Sequence, residues 1–91
     1  MQKLTDNELQ EALTNLPGWK LQNGSLIRDY TLADFVAAMA FVNRIAALAE
    51  AAGHHPDIDI RYNRVRLGLV THDAGGITAN DTKMAATIDQ A

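Results

Sequence analysis

The residues of this chain best suited to chemistry are its three histidines. They lie close together in the sequence: His54 and His55 in Gly53-His54-His55-Pro56, and His72 in Thr71-His72-Asp73. Imidazole changes charge near neutral pH, so it serves as proton donor, proton acceptor or metal ligand. His72 stands seventeen residues beyond His55. A hairpin over the intervening segment would fold the two places onto each other, so the elements around them decide what they can do.

That segment has a period of two. Ile58, Ile60 and Tyr62 alternate with Asp57, Asp59 and Arg61, and Val65, Leu67, Leu69 and Thr71 alternate with Arg66, Gly68, Val70 and His72. Alternation of this kind predicts two half-buried strands. A two-residue loop at Asn63-Arg64 pairs Tyr62 with Val65, Ile60 with Leu67 and Ile58 with Leu69. Carried onward, the ladder sets Pro56 opposite Thr71 and His55 opposite His72, with side chains about 5 Å apart on one face. His54 has the other parity and turns toward the helix layer. The register asks Arg64 to adopt a positive φ, which suits it poorly. Glu50, one helical turn before His54, is placed to approach the imidazoles and favour their charged form. Asp73-Ala74-Gly75-Gly76 follows His72 as a loop whose glycines permit a tight turn and close approach of a flat ligand.

Three helices frame these strands. Thr5 with Glu8, Thr31 with Asp34 and Thr78 with Asp81 each carry the spacing of a capping box, and Leu4 with Leu9 and Tyr30 with Phe35 suit hydrophobic staples. The first helix is expected over about Asp6 to Asn15, ended by Pro17-Gly18. The second, Leu32 to Ala52, is apolar over most of its surface and closes on Gly53. The third runs from Ala79 to Gln90. Trp19 to Gln22 and Ser25 to Tyr30 flank Asn23-Gly24, a strong hairpin signal. The order helix, two strands, helix, two strands, helix predicts an α+β two-layer sandwich: a four-stranded antiparallel sheet with three helices on one face.

Composition narrows the function classes. Ninety-one residues make a single domain spanning 1–91. A net charge of −3 with scattered basic residues argues against nucleic acid as the main ligand. The absence of cysteine removes disulfides and thiolate sites. No apolar run reaches the roughly 20 residues of a membrane span, and Met1-Gln2-Lys3-Leu4-Thr5 has no apolar signal region, so a cytoplasmic location is the expectation. A chain this short buries a limited share of its surface, which favours oligomers.

Glu50-Ala51-Ala52-Gly53-His54-His55-Pro56, then five residues to Tyr62, nine to His72 and eight to Asp81, resembles the signature of the pterin-4a-carbinolamine dehydratases. Tyr62-Asn63-Arg64-Val65, Thr71 through Thr78 and Gly18-Trp19 extend the likeness over nearly the whole chain. The resemblance implies dehydration of 4a-hydroxytetrahydropterin to quinonoid dihydropterin in tetrahydrobiopterin recycling, with no metal or organic cofactor. It implies a homodimer or homotetramer. It places the catalytic imidazoles at His54, His55 and His72, with His54 and His72 as the proton-transfer pair and His55 orienting the pterin. Glu50, Trp19, Thr71 and Asp81 are then the substrate-binding and supporting positions.

Other readings stand beside this one. Asp81 caps the third helix on any reading, Trp19 suits a core, and Glu50 suits a solvated helix end. A metal site built from the histidines and an acid is a second class, weakened because adjacent strand residues point apart. A non-catalytic dimerisation or binding module is a third, since animal members of the family that the chain resembles also partner a transcription factor through the long helix.

Overall fold

The computed structural model describes residues 2–91; Met1, part of the N-terminal segment read above, lies outside them. The elements are α1 (Asp6–Thr14), β1 (Lys20–Gln22), β2 (Ser25–Thr31), α2 (Phe35–Ala52), β3 (Asp57–Arg61), β4 (Arg64–Leu69), a single 3-10 turn (His72–Ala74) and α3 (Ala79–Asp89). All strand pairs are antiparallel and the sheet order is β1-β2-β4-β3. The expected α+β arrangement is therefore present. Leu26, Val65, Leu67 and Leu69 face inward from the central strands. They share one core with Ala38, Phe41, Val42, Ile45 and Ala49 of α2, Met84, Ala85 and Ile88 of α3, and Leu9 of α1. Leu26, Ile45, Leu67 and Leu69 are wholly buried. Each such side chain contributes roughly 1.5–3 kcal/mol by leaving water, which makes the two central strands and mid-α2 a stiff base for the sheet rim.

Asn23 (φ 52°) and Gly24 (φ 81°) form the expected left-handed turn between β1 and β2. The capping boxes of α1 and α3 are also present. The start of α2 differs. Thr31 remains in β2, paired with Arg64, and Leu32 N–H donates to the Asn63 carbonyl at 2.8 Å. Those bonds hold residues 31 and 32 to the sheet, so the helix begins later. Asp34 itself is the cap, its carboxylate accepting from Ala37 N–H at 2.8 Å. Phe35 is half-exposed, and Tyr30 packs on Phe41 with ring centroids 4.5 Å apart. Burial pushes the Tyr30 phenol up to about 12.

The β3–β4 register also differs. Ile60 opposes Val65 and Ile58 opposes Leu67, two residues away from the expected ladder. The turn residues are Tyr62 and Asn63, and the left-handed position falls on Tyr62 (φ 56°) rather than on Arg64. Asn63 explains the choice: its side-chain amide donates to the Leu32 carbonyl at 3.1 Å while its own carbonyl accepts from Leu32 N–H. Both registers keep Ile58 and Ile60 inward, because a shift of two preserves the face. Hydrophobic alternation could not distinguish them.

At 18 residues α2 is long and apolar enough, by length and composition, to cross a membrane. Its buried stripe instead packs on the sheet and α3, as in the core helix of a globular domain.

Candidate active site

α2 ends in a Schellman motif, and the motif positions two of the chemical residues. Gly53 takes φ 67°, its N–H donating to the Glu50 carbonyl at 3.3 Å, and His54 N–H donates to the Ala49 carbonyl at 3.2 Å. The chain leaves the helix at a defined angle, with His54 turned toward α3 and His55 toward solvent.

His54 Nε2 lies 2.5 Å from Asp81 Oδ1. The His54 side chain is 17% exposed and Asp81 is fully buried. Asp81 is the hub of the site. Its Oδ2 accepts from Thr78 N–H at 2.9 Å, which caps α3, and from the Thr71 hydroxyl at 2.8 Å. The Thr71 and Thr78 hydroxyls are 2.8 Å apart. A carboxylate in the first turn of a helix is also favoured by the helix dipole. Helix capping and imidazole binding are thus the work of one side chain.

His55 makes a separate pair. Its Nε2 lies 2.7 Å from Glu50 Oε1, with the two side chains 63% and 80% exposed. Glu50 therefore meets His55 and leaves His54 to Asp81. His72 is exposed on the 3-10 turn that follows β4. That turn is tied down by its own backbone: Thr71 N–H donates to the Gly76 carbonyl at 3.0 Å, and Gly75 closes it at φ 75°.

The predicted direct opposition of His55 and His72 is not found, because β3 begins only at Asp57 and the register is shifted. All three histidines nevertheless line one open cleft of about 280 Å3, together with Gly53, Val70, Thr71 and Asp73. Trp19 is not among them. It is 4% exposed, and its indole N–H donates to Asp89 Oδ1 at 2.9 Å, where Arg28 also donates at 2.8 Å. Asp89 and Asp81 stand eight residues apart on α3, about 12 Å along its axis. Trp19 fixes the far end of the helix whose near end carries Asp81. Thr78, which the sequence marks only as a cap, also adjoins the candidate site: its hydroxyl lies 2.8 Å from that of Thr71. The Thr71–Thr78 contact bridges a loop and has no local sequence signal.

A larger cleft, about 470 Å3, lies elsewhere, lined by Asp29, Tyr30, Thr31, Asp59, Arg61, Arg64, Val65 and Arg66. Its charges are largely paired with each other. Arg66 binds Asp29 through two nitrogens, at 2.7 and 3.0 Å, and holds its carboxyl below the usual aspartate range, while Arg61 approaches Asp59 at 3.3 Å. Size alone would favour this cleft. The histidine cleft has the proton-transfer groups and the buried carboxylate, and it is the better candidate. Among the described residues no group of three or more His, Cys, Asp or Glu is placed to hold a metal ion. His54 and His55 direct their Nε2 atoms to different carboxylates, so they do not converge on one point.

Comparison with known proteins identifies the family. The family model described as "Pterin 4 alpha carbinolamine dehydratase" matches residues 2–91. A protein of Acidobacterium capsulatum named "Putative pterin-4-alpha-carbinolamine dehydratase" is 61% identical over 89 residues, covering 98% of this chain and 97% of its own. One of the same name from Chloroflexus aurantiacus is 58% identical over 90 residues, covering 99% and 97%. The crystal structure of a transcriptional coactivator/pterin dehydratase from Brucella melitensis superposes with a TM-score of 0.92 at 36% identity, covering 98% of this chain and 97% of that one. A pterin dehydratase-like protein identified as a RuBisCO assembly factor in the alpha-carboxysome shares the fold, with a TM-score of 0.63 at 23% identity over 79% of this chain and 83% of that one. This chain belongs to the pterin-4-alpha-carbinolamine dehydratase family.

Proposed function

We propose that this protein is a hydro-lyase that dehydrates 4a-hydroxytetrahydropterin to quinonoid dihydropterin. The observation that carries the reading is the meeting of three histidines on one rim, one of them bonded to a wholly buried carboxylate. In the reaction the C4a–O bond breaks, the N5–H proton leaves, C4a=N5 forms and water departs. An acid must protonate the leaving hydroxyl and a base must take the N5 proton, each contributing about 10²–10⁴-fold. His54 and His72 are assigned as that pair, and His55, held by Glu50, orients the ring. The backbone of Thr71 and of the loop that follows it meets the ring edge. Asp81 supports His54 from behind. Trp19 acts at a distance, by holding α3.

The chemistry uses side chains alone, with no metal or organic cofactor. The pathway is recycling of the pterin oxidised by an aromatic amino-acid hydroxylase, in the cytoplasm, with the chain acting as a homodimer or homotetramer. Stopped-flow measurement with freshly made 4a-hydroxytetrahydropterin tests the assignment. Wild type is expected to accelerate the dehydration and His54→Ala to lose most of that acceleration. Absence of acceleration by wild type would leave the dehydratase reading unsupported.

A second reading is a non-catalytic binding module. It is favoured by the exposure of Phe35 and Val36 at the start of α2, 50% and 76% exposed, and by the coactivator named in the Brucella melitensis structure. Turnover and sedimentation of wild type and of the His54→Ala, His72→Ala double variant together separate the two: an enzyme loses turnover in the variant and keeps its assembly, whereas a binding module shows no turnover in either protein and the same assembly in both.

A further inference from the structure

We infer that Thr71 and Thr78 are positioning residues that fix the tautomer of His54, so that Nδ1 is the nitrogen that exchanges a proton with substrate. This deepens the dehydratase reading and, as a statement about catalysis, rests on it.

The argument is an accounting of protons. A backbone N–H can only donate, and a carboxylate can only accept. Asp81 Oδ2 receives Thr78 N–H and the Thr71 hydroxyl. With its one proton given to Asp81, the Thr71 oxygen must act as acceptor toward the Thr78 hydroxyl, 2.8 Å away. The Thr78 oxygen in turn accepts from Asn80 N–H at 3.2 Å. Every donor in the chain from Asn80 through Thr78 and Thr71 therefore points toward Asp81. Oδ2 is filled, and Oδ1 is left for His54 Nε2. Both neighbours of Oδ2 are donors, as an ordinary aspartate carboxylate requires, and a carboxylate oxygen can only accept, so the proton on the Oδ1 contact belongs to the imidazole. His54 is then an Nε2–H tautomer. Its Nδ1 has no hydrogen-bond partner in the described protein, and the residue lines the cleft. The Thr71 hydroxyl proton is committed to Asp81 and is not available to a ligand.

Long-range proton–nitrogen correlation spectra of the free protein, taken in alkaline solution, test the inference without substrate. Wild-type His54 is expected to show Nε2 protonated and Nδ1 bare, and Thr71→Val to shift population toward the other tautomer. In the same variant kcat is expected to fall about tenfold with KM little changed, less than the roughly 10²–10⁴-fold carried by a positioned acid or base. Thr71→Ser, which keeps the hydroxyl, is expected to restore both signals. A wild-type His54 protonated on Nδ1 would overturn the inference, whether or not Thr71→Val folds. So would a Thr71→Val protein with wild-type tautomer and rate. Correct tautomers in a wild type that does not accelerate dehydration would overturn Nδ1 as the working nitrogen, together with the dehydratase reading, and leave the resting tautomer in place.

Discussion

His54 and His55 are adjacent in sequence, and each places Nε2 within 2.7 Å of a carboxylate oxygen. There the likeness ends. Asp81 is fully buried and accepts from three partners, whereas Glu50 is 80% exposed and accepts from His55 alone among the described side chains. Water competes freely for the second pair and hardly at all for the first. Exposed ion pairs are worth little, while removing one member of a buried pair strands the other in a poor solvent. Similar bond lengths therefore conceal very different consequences. The bidentate Arg66–Asp29 pair on the outer sheet face carries the lesson further: its geometry is good, yet both side chains are near half-exposed.

The contrast can be broken most directly at Asp81. Asp81→Ala removes a helix cap, the acceptor for His54 and the anchor of Thr71 together. We expect a loss of about 3 kcal/mol in stability by urea denaturation, combining the cap and the buried-pair terms. We expect dehydration to fall to within tenfold or so of background. Next is His54→Ala, which should cost about 10²–10⁴ in kcat while the assembly measured by sedimentation is unchanged. Glu50→Gln should cost only a few-fold in rate and less than about 0.5 kcal/mol, and the rate effect should shrink further in high salt. If Glu50→Gln proved as damaging as Asp81→Ala, burial would not be what separates the two pairs.

The smallest effect is expected at Asp29. Asp29→Asn should leave turnover unchanged, and any stability difference from wild type should depend on pH in a set direction. The hydrogen bond to Arg66 lowers the Asp29 pKa in the folded state. Its contribution is thus present above the ordinary aspartate value of about 3.9 and lost as pH falls through the lower folded value. Thermal unfolding of both proteins across the acid range should show the two curves converging at the acid end.

Much of this architecture was legible in the chain. Alternation and helical spacing named the three α-helices and the four strands, though not the 3-10 turn at His72–Ala74; Asn23-Gly24 named a turn, and Gly53 named the end of α2. These signals are local, because period, cap and turn chemistry act within a few residues. The errors share a different cause. Thr31 looks like a cap until its pairing with Arg64 holds it in a strand, and Asn63-Arg64 looks like a turn until Asn63 bonds Leu32. Each misreading was overturned by a partner about thirty residues away. Trp19, which suited both a core and a substrate-side position, lies in the core, with its indole N–H drawn to Asp89 at the opposite end of α3 from the histidine cleft.

The sequence by itself determined which side chains are suited to proton transfer, the order of the elements and the face each strand buries, since these follow from residue type and periodicity. Only the tertiary structure decided which carboxylate each histidine meets. Glu50 and Asp81 are both within reach of an imidazole on paper. Their burial, and so the strength of each pairing, is set by where α3 packs against the end of α2 and the loop after β4.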